Sequence, residues 1–363
     1  MKILILANHY NTLRIFRREL IISFAKMGHE VVLSIPQCDD QNKELLESYG
    51  ARVVFTDVDR RGTNPLKDIK LLNSYRRLLR IEKPDKVIAY TVKCNVYGGF
   101  ACKSAHIPFY ANVTGLGSAF QGKSLMRRLV SFLYKRSLNK AQSVFFENVG
   151  NRDTLVNDRI IRADRAHVLP GAGVNLEEFL PAAYPDSKDG IRFLFVGRIM
   201  REKGVDELFS AIERIKAKYA DTQFHFIGWY EDNYEHKVME MSDKGLLRFH
   251  GFQNDVKPFI AASHCVVLPS WHEGMSNTLL ESAAMCRPLI TSDIHGCKEA
   301  VLDGISGFLT EVKNADTLYE AIERIVLMTN ADREAMGIRG RQHMVDRFDK
   351  NMVVKDTESI IFK

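Results

Sequence analysis

The stretch Cys265-Val266-Val267-Leu268-Pro269-Ser270-Trp271-His272-Glu273-Gly274-Met275-Ser276-Asn277-Thr278-Leu279-Leu280-Glu281 changes its pattern twice. The apolar run 265–268 ends at Pro269-Ser270 and predicts a buried strand. A short loop carrying Glu273 and Gly274 follows. Ser276 or Asn277 is suited to cap the helix that the residues from Thr278 to Met285 predict. Strand, tight loop and helix in that order bring the first N–H groups of the helix to the carboxyl edge of a sheet. Those donors lack intrahelical partners and lie at the positive end of the helix dipole, so they form an anion site. Glu273 stands in the loop, and Glu281 follows about a turn and a half into the helix. A phosphate on the helix end would have a carboxylate on each side to bind hydroxyls. Taken singly, the two glutamates read equally as a solvated loop residue and an ordinary helix residue. Gly274 directly after Glu273, and matching cations upstream, favour a site.

Working outward, the same alternation recurs. Toward the amino terminus of this half, strands are predicted at 191–196, 223–228 and 247–252, with a helix at 204–218; beyond the opening stretch, strands follow at 288–291 and 307–309. In the first half, strands are predicted at 2–7, 30–35, 52–55, 86–90, 109–113 and 143–146. Helices are predicted at 13–27, 41–49 and 65–82. Strand and helix alternating at this spacing mean parallel β-α-β units. The fold class is therefore α/β, with two doubly wound Rossmann-like domains facing across a cleft. Residues 1–180 form the first domain, 181–190 a linker by composition, and 191–345 the second. A final segment from about 346 to 363 is free to pack back on the first domain.

Of the 363 residues, 45% are apolar, which excludes a disordered chain. The opening run Met1 to Ala7 is too short for a signal peptide, and no stretch approaches eighteen apolar residues. The cysteines at 38, 94, 102, 265, 286 and 297 have neither C-x-x-C pairing nor metal-ligand spacing, so they read as small buried residues in a reducing compartment, and no metal is expected. Charge is divided unevenly. Residues 1–170 hold 28 Lys and Arg against 15 Asp and Glu, the remainder 23 against 30, and no acid occurs from Lys86 to Phe146. Within that stretch Lys123, Arg127, Arg128, Lys135, Arg136 and Lys140 interleave with Leu125, Leu129, Phe132, Leu133 and Leu138. With Arg76, Arg77 and Arg80 they fit a surface lying on an anionic membrane leaflet. The alternative is a core-facing helix with a solvated basic side. No nucleic-acid recognition motif is present, and no nucleic-acid partner is expected.

The upstream cations lie in Phe195-Val196-Gly197-Arg198-Ile199-Met200-Arg201-Glu202-Lys203-Gly204. Gly197 permits close approach of a ligand to the backbone, Arg198 offers a fork for phosphate oxygens and Lys203 a point charge. With Gly251-Phe252 and the Glu273 and Glu281 pair, these residues resemble glycosyltransferase family 4, and the resemblance covers essentially the whole chain. The segments Asn8-His9-Tyr10, Phe16-Arg17, 91–98, 112–117 and Asn151-Arg152-Asp153 resemble the bacterial branch that extends undecaprenyl-diphosphate-linked oligosaccharides.

The resemblance implies a GT-B fold and a retaining, metal-independent UDP-sugar glycosyltransferase of surface-glycan or glycoprotein-glycan assembly. It would move a hexose or N-acetylhexosamine to a lipid-linked acceptor, with the UDP-sugar a substrate and no cofactor. Its place would be the cytoplasmic side, peripherally bound to the inner face of the cell membrane. By match, Arg198 and Lys203 hold the donor diphosphate and Glu273 contacts the transferred sugar, and these three are the candidate catalytic residues. Gly197, Gly274 and the backbone of Met275, Ser276, Asn277 and Thr278 complete the phosphate site. Glu281 binds the ribose, and Gly251 and Phe252 lie near the base. On the acceptor side stand His9, Tyr10, Asn11, Lys93, Asn112, Thr114, Gly115 and Gly117. Relatives often carry a histidine where this chain reads Asn112-Val113-Thr114. Two carboxylates alone would also fit a glycosidase, against which the basic diphosphate site argues. A UDP-sugar epimerase of the same fold and a non-catalytic two-lobed sugar-binding protein are the remaining alternatives.

Overall fold

The computed structural model describes residues 1–59, 64–116 and 125–363. The chain divides into two compact units, Met1–Ala172 with Asn351–Lys363, and Gly173–Lys350. Both are doubly wound parallel sheets flanked by helices.

The first sheet contains β1 (Lys2–Leu6), β2 (Glu30–Ile35), β3 (Ala51–Phe55), β4 (Lys86–Tyr90), β5 (Phe109–Val113), β6 (Ser143–Phe146) and β7 (Ala166–Val168), in the order β3-β2-β1-β4-β5-β6-β7. Alternate residues enter opposite cores, as the two-residue period of a strand requires. Ile3 and Ile5 pack with Val31, Leu33 and Ile88, whereas Leu4 and Leu6 pack with Val32, Val87 and Ala89. A sheet buried on both faces needs strands that are apolar throughout, which is why these strands read as continuous runs.

The second sheet contains β8 (Arg192–Val196), β9 (Gln223–Ile227), β10 (Arg248–Phe249), β11 (Cys265–Leu268), β12 (Leu289–Ser292) and β13 (Gly307–Thr310), in the order β10-β9-β8-β11-β12-β13. Winding reverses between β1 and β4 in the first sheet and between β8 and β11 in the second. At such a point neighbouring loops leave toward opposite faces and open a crevice at the carboxyl ends of the strands.

Several expectations are corrected. The single helix expected over 13–27 is two, Tyr10–Phe16 and Arg18–Lys26, broken at Arg17. The strand expected over 247–252 spans two residues only. The 91–98 segment contains a π-helical turn, Cys94–Gly98, running into the helix Gly99–Ala105. Residues 181–190 lie inside the second unit: the buried Arg287 donates to the carbonyls of Ala182 (3.2 Å) and Ala183 (2.8 Å), and the Tyr184 hydroxyl to that of His264 (2.7 Å). The final segment, expected from about 346, belongs to the first unit from Asn351. There the helix Lys350–Ile361 buries Val353 and Ile361 in the core beside β1 and β2. Its last carbonyl, of Ile361, accepts from Lys86 Nζ (2.9 Å) and the Tyr110 hydroxyl (3.1 Å).

Candidate active site

β8 and β11 are hydrogen-bonded neighbours, so the loops that follow them, 197–204 and 269–276, meet at the reversal point of the second sheet. Backbone bonds tie them: Trp271 N–H donates to the Glu202 carbonyl at 2.9 Å. This brings Lys203 to Glu273, which form an ion pair through Nζ and Oε1. Ser270 Oγ donates to the same carboxylate oxygen at 2.8 Å. Both partners are mostly shielded from water, where a charge-assisted hydrogen bond is stronger than at an open surface. Arg198 lies on the other limb of the 197–204 loop and pairs loosely with Glu231 (3.7 Å).

The protein itself does not require glycine at 197. A Cβ at 197 would meet protein only at ordinary contact distance, 3.5 Å from the Phe195 ring. The tight approach belongs to Gly228, whose added Cβ would lie 1.8 Å from the Gly197 carbonyl oxygen. Gly296 plays the same part for Gly274. It has φ +91, its Cβ would lie 2.5 Å from the Gly274 carbonyl oxygen, and its own carbonyl accepts from Ser276 N–H at 2.9 Å. The helix begins at Asn277, with Ser276 in the capping position but making no side-chain cap bond. Ser276 N–H is thus engaged by Gly296, and the N–H groups left to the helix end are those of Asn277, Thr278 and Leu279. Met275 is buried beneath the loop.

Glu281 lies in that helix, Asn277–Ala284. Burial pushes its carboxyl up to about 7, with Lys350 and Lys257 pulling it down and Glu178 pushing it up. The charges that reach Glu281 are therefore different from those gathered at Glu273. Gly251 follows β10 with φ +67, and Phe252, 61% exposed, meets Trp229 edge-on at 5.7 Å between ring centroids. Among the described residues no group of three His, Cys, Asp or Glu is placed to hold a metal ion.

In the first unit, the reversal point joins the loop after β1 to the loop after β4. His9 caps the helix Tyr10–Phe16, its Nδ1 accepting from Asn11 N–H (3.1 Å), and its ring stacks on Tyr10. A neutral His9 thus carries its proton on Nε2. Asn11 Oδ1 accepts from Arg14 (3.1 Å), and Lys93 pairs with Asp68 (2.8 Å). Asn112, expected on the acceptor side, is buried, and its amide donates to the Ala89 carbonyl (3.4 Å) while its own carbonyl accepts from Asn95 (2.8 Å). Through these bonds it ties β5 to β4 and to the π-helical turn. Thr114 and Gly115 are half-buried. Gly117 and Lys123 lie outside the described residues.

The conformation and partners of some groups at these edges were not read from the sequence. Thr91 has φ 76, a strained value for a β-branched residue, at the carboxyl end of β4. Arg17, buried, pairs with Glu147 (3.1 Å) just beyond β6 and lies over the Tyr90 ring at 4.7 Å. Gly296 carried a signal, a glycine in the loop after a predicted strand. Arg17 stood in the Phe16-Arg17 segment that the resemblance singled out, but nothing in the local pattern signalled its pairing with Glu147, 130 residues away.

The helix Leu125–Leu138 carries the remaining expected residues. Leu125, Leu129 and Phe132, at 82%, 52% and 54% exposure, recur at helical spacing on one face. Arg128, Lys135 and Arg136 are exposed, and Arg127 pairs with Asp158 at 2.9 Å.

Residues 2–148 match the family model described as Glycosyl transferase 4-like, and residues 190–327 that described as Glycosyl transferases group 1. Among curated relatives, the N,N'-diacetylbacillosaminyl-diphospho-undecaprenol alpha-1,3-N-acetylgalactosaminyltransferase of Campylobacter jejuni is 26% identical over 94% of this chain and 93% of its own. The UDP-Gal:alpha-D-GlcNAc-diphosphoundecaprenol alpha-1,3-galactosyltransferase of Escherichia coli is 28% identical over 76% and 74%. Among solved structures, Anabaena HepE in complex with UDP and glucose superposes over all of both chains with a TM-score of 0.82 at 17% identity. With both halves matched in sequence and both sheets in architecture, the chain belongs to the group 1 and 4-like glycosyltransferases and has the GT-B fold.

Proposed function

We propose that this glycosyltransferase moves a hexose or N-acetylhexosamine from a UDP-sugar to an undecaprenyl-diphosphate-linked saccharide, with retention of configuration and without a metal. The observation that carries the reading is the meeting of the 197–204 and 269–276 loops at the reversal point of the second sheet, with Lys203 on Glu273. The two relatives, named for undecaprenol-linked substrates, support the acceptor class.

Departure of UDP puts growing negative charge on a diphosphate. Cations and N–H groups fixed in advance stabilise that charge most in the transition state. Arg198, Lys203 and the end of the helix Asn277–Ala284 supply them, so a divalent ion is not required. Lys203 then exchanges the Glu273 carboxylate for phosphate oxygens, and Glu273 is freed to accept from a sugar hydroxyl. Glu281 takes the ribose, and the Gly251-Phe252 edge takes the base. On the first unit, His9, Tyr10, Asn11 and Lys93 face the acceptor. The exposed Leu125, Leu129 and Phe132, set among cations, lie on the inner face of the membrane, where the lipid-linked acceptor is held.

A UDP-release assay with EDTA tests the reading, using a panel of UDP-sugars with and without short-chain prenyl-diphosphate glycans. Release that needs one donor and one lipid-linked acceptor is expected. Release without an acceptor, or only when a divalent metal is restored, would overturn it. Tight UDP binding with no turnover on any pair would favour the sugar-binding protein.

A further inference from the structure

At the amino ends of β5 and β6, the opposite edge from Thr91 and Asn112, the first unit contains a cavity of about 370 Å³. Lys103, His106, Phe109, Ser137, Lys140 and Gln142 are among the residues that line it. The helices Gly99–Ala105 and Leu125–Leu138 both end there. Lys103, His106 and Lys140 are exposed at its rim.

Among the described residues no carboxylate pairs with Lys103, Lys140, Lys135 or Arg136. Other cations of this unit do have acidic partners, such as Lys93 with Asp68 and Arg127 with Asp158. The sequence explains the difference, since 86–146 contains no acid. The two helix ends offset part of this charge, each by about half a unit of negative dipole charge. Lys103 answers one of them by donating to the Arg136 carbonyl at 3.3 Å. Two lysines, with Arg136 beside them, still leave the cavity cationic. Arg136, which precedes the lining residue Ser137, also lies over the Phe132 ring at 5.2 Å, on the exposed apolar face of the same helix.

We infer that this cavity binds the phosphate headgroup of an anionic membrane phospholipid. Lysine ammonium groups suit phosphate as point charges. The volume admits a phosphate with a small alcohol. Leu125, Leu129 and Phe132, exposed along the helix whose end carries Ser137 into the cavity wall, provide the apolar surface that acyl chains need and a free phosphate does not. The inference rests on the membrane-surface reading given above and adds to it a particular lipid site.

The test is flotation of the full chain with vesicles of phosphatidylcholine alone or with phosphatidylglycerol. K103Q/K140Q removes two cations from the cavity, and R128Q/K135Q removes two from the same surface outside it. Because each basic residue near an anionic surface contributes by long-range attraction alone, both pairs lose that share. The cavity pair should lose about tenfold more in partitioning onto phosphatidylglycerol vesicles. Equal losses would overturn the inference in favour of unspecific attraction. Displacement from vesicles by inorganic phosphate as effectively as by glycerol phosphate, at constant ionic strength, would identify a free-phosphate site and overturn the lipid source. UDP release with a short-chain acceptor in solution should be unchanged in K103Q/K140Q. Its absence in the parent would count against the transferase reading and not against the cavity.

Discussion

Lys203 and Glu273 share one ion pair, and the proposed function gives each a separate task once a donor arrives. Replacing Glu273 by Gln keeps the side-chain shape and Ser270 as a neighbour while removing the charge. Turnover should fall about a hundredfold, the scale of losing one group that acts in the transition state. UDP affinity measured by calorimetry should change only a few-fold, because Lys203 is released to the diphosphate. Unchanged turnover would remove Glu273 from the reacting end. Glu281 gives a different signal. Its carboxyl titrates near 4.5 unfolded and at about 7 folded, raised chiefly by burial. Between those values the folded chain retains a proton that the unfolded chain has lost. Unfolding free energy should therefore fall as pH rises from about 4.5 to about 7, by about 2 kcal/mol. Glu281→Gln should flatten that decline in urea melts taken across the range. A parallel decline in the variant would show that other groups cause it.

At the scale of elements, the break between the helices Tyr10–Phe16 and Arg18–Lys26 is held by a contact from far along the chain. Arg17 leaves helical geometry and reaches Glu147 and the Tyr90 ring. Glu147→Gln leaves a buried guanidinium without its counter-charge. It should cost about 3 kcal/mol, read as a lower thermal midpoint of the first unit. A melt like the parent's would mean that the Tyr90 ring suffices. This break also shows where the sequence stopped being informative. Strands apolar on both faces are legible because burial on two sides leaves no polar positions, and the loop from Ser270 to Ser276 is legible because strand and helix periods meet there. The helix break, the π-helical turn at Cys94–Gly98 and the shortness of β10 depend on partners that no local period encodes. The engaged amide of Asn112 is of the same kind: a polar residue at a strand end reads as available until a neighbour such as the Ala89 carbonyl is brought against it. Lys203 meeting Glu273 was foreseeable only as two loops on one sheet edge, because strand order decides which loops are adjacent.

For the whole molecule, the return of Asn351–Lys363 makes the first unit depend on residues that lie far along the chain, beyond the whole of the second unit. Truncation after Lys350 removes Val353 and Ile361 from the core and Phe362 from the edge of the Phe24 ring. Burying such side chains contributes about 1.5–3 kcal/mol each. Hydrogen exchange should therefore quicken in β1 and β2 while β8 to β13 keep their protection. Equal loss in both sheets would show that the segment supports the entire chain. One further consequence follows from where the indole rings lie. The sequence has two tryptophans, Trp229 and Trp271, which follow β9 and β11 and so stand on either side of the 197–204 loop. Trp271 is flanked by Arg201 (5.3 Å) and Lys313 (4.3 Å), and Trp229 is half exposed. All indole fluorescence of this protein therefore originates at one edge of the second sheet. With the donor site proposed above, donor occupancy should be readable from indole emission without any label, and events confined to the first unit should leave that emission unchanged.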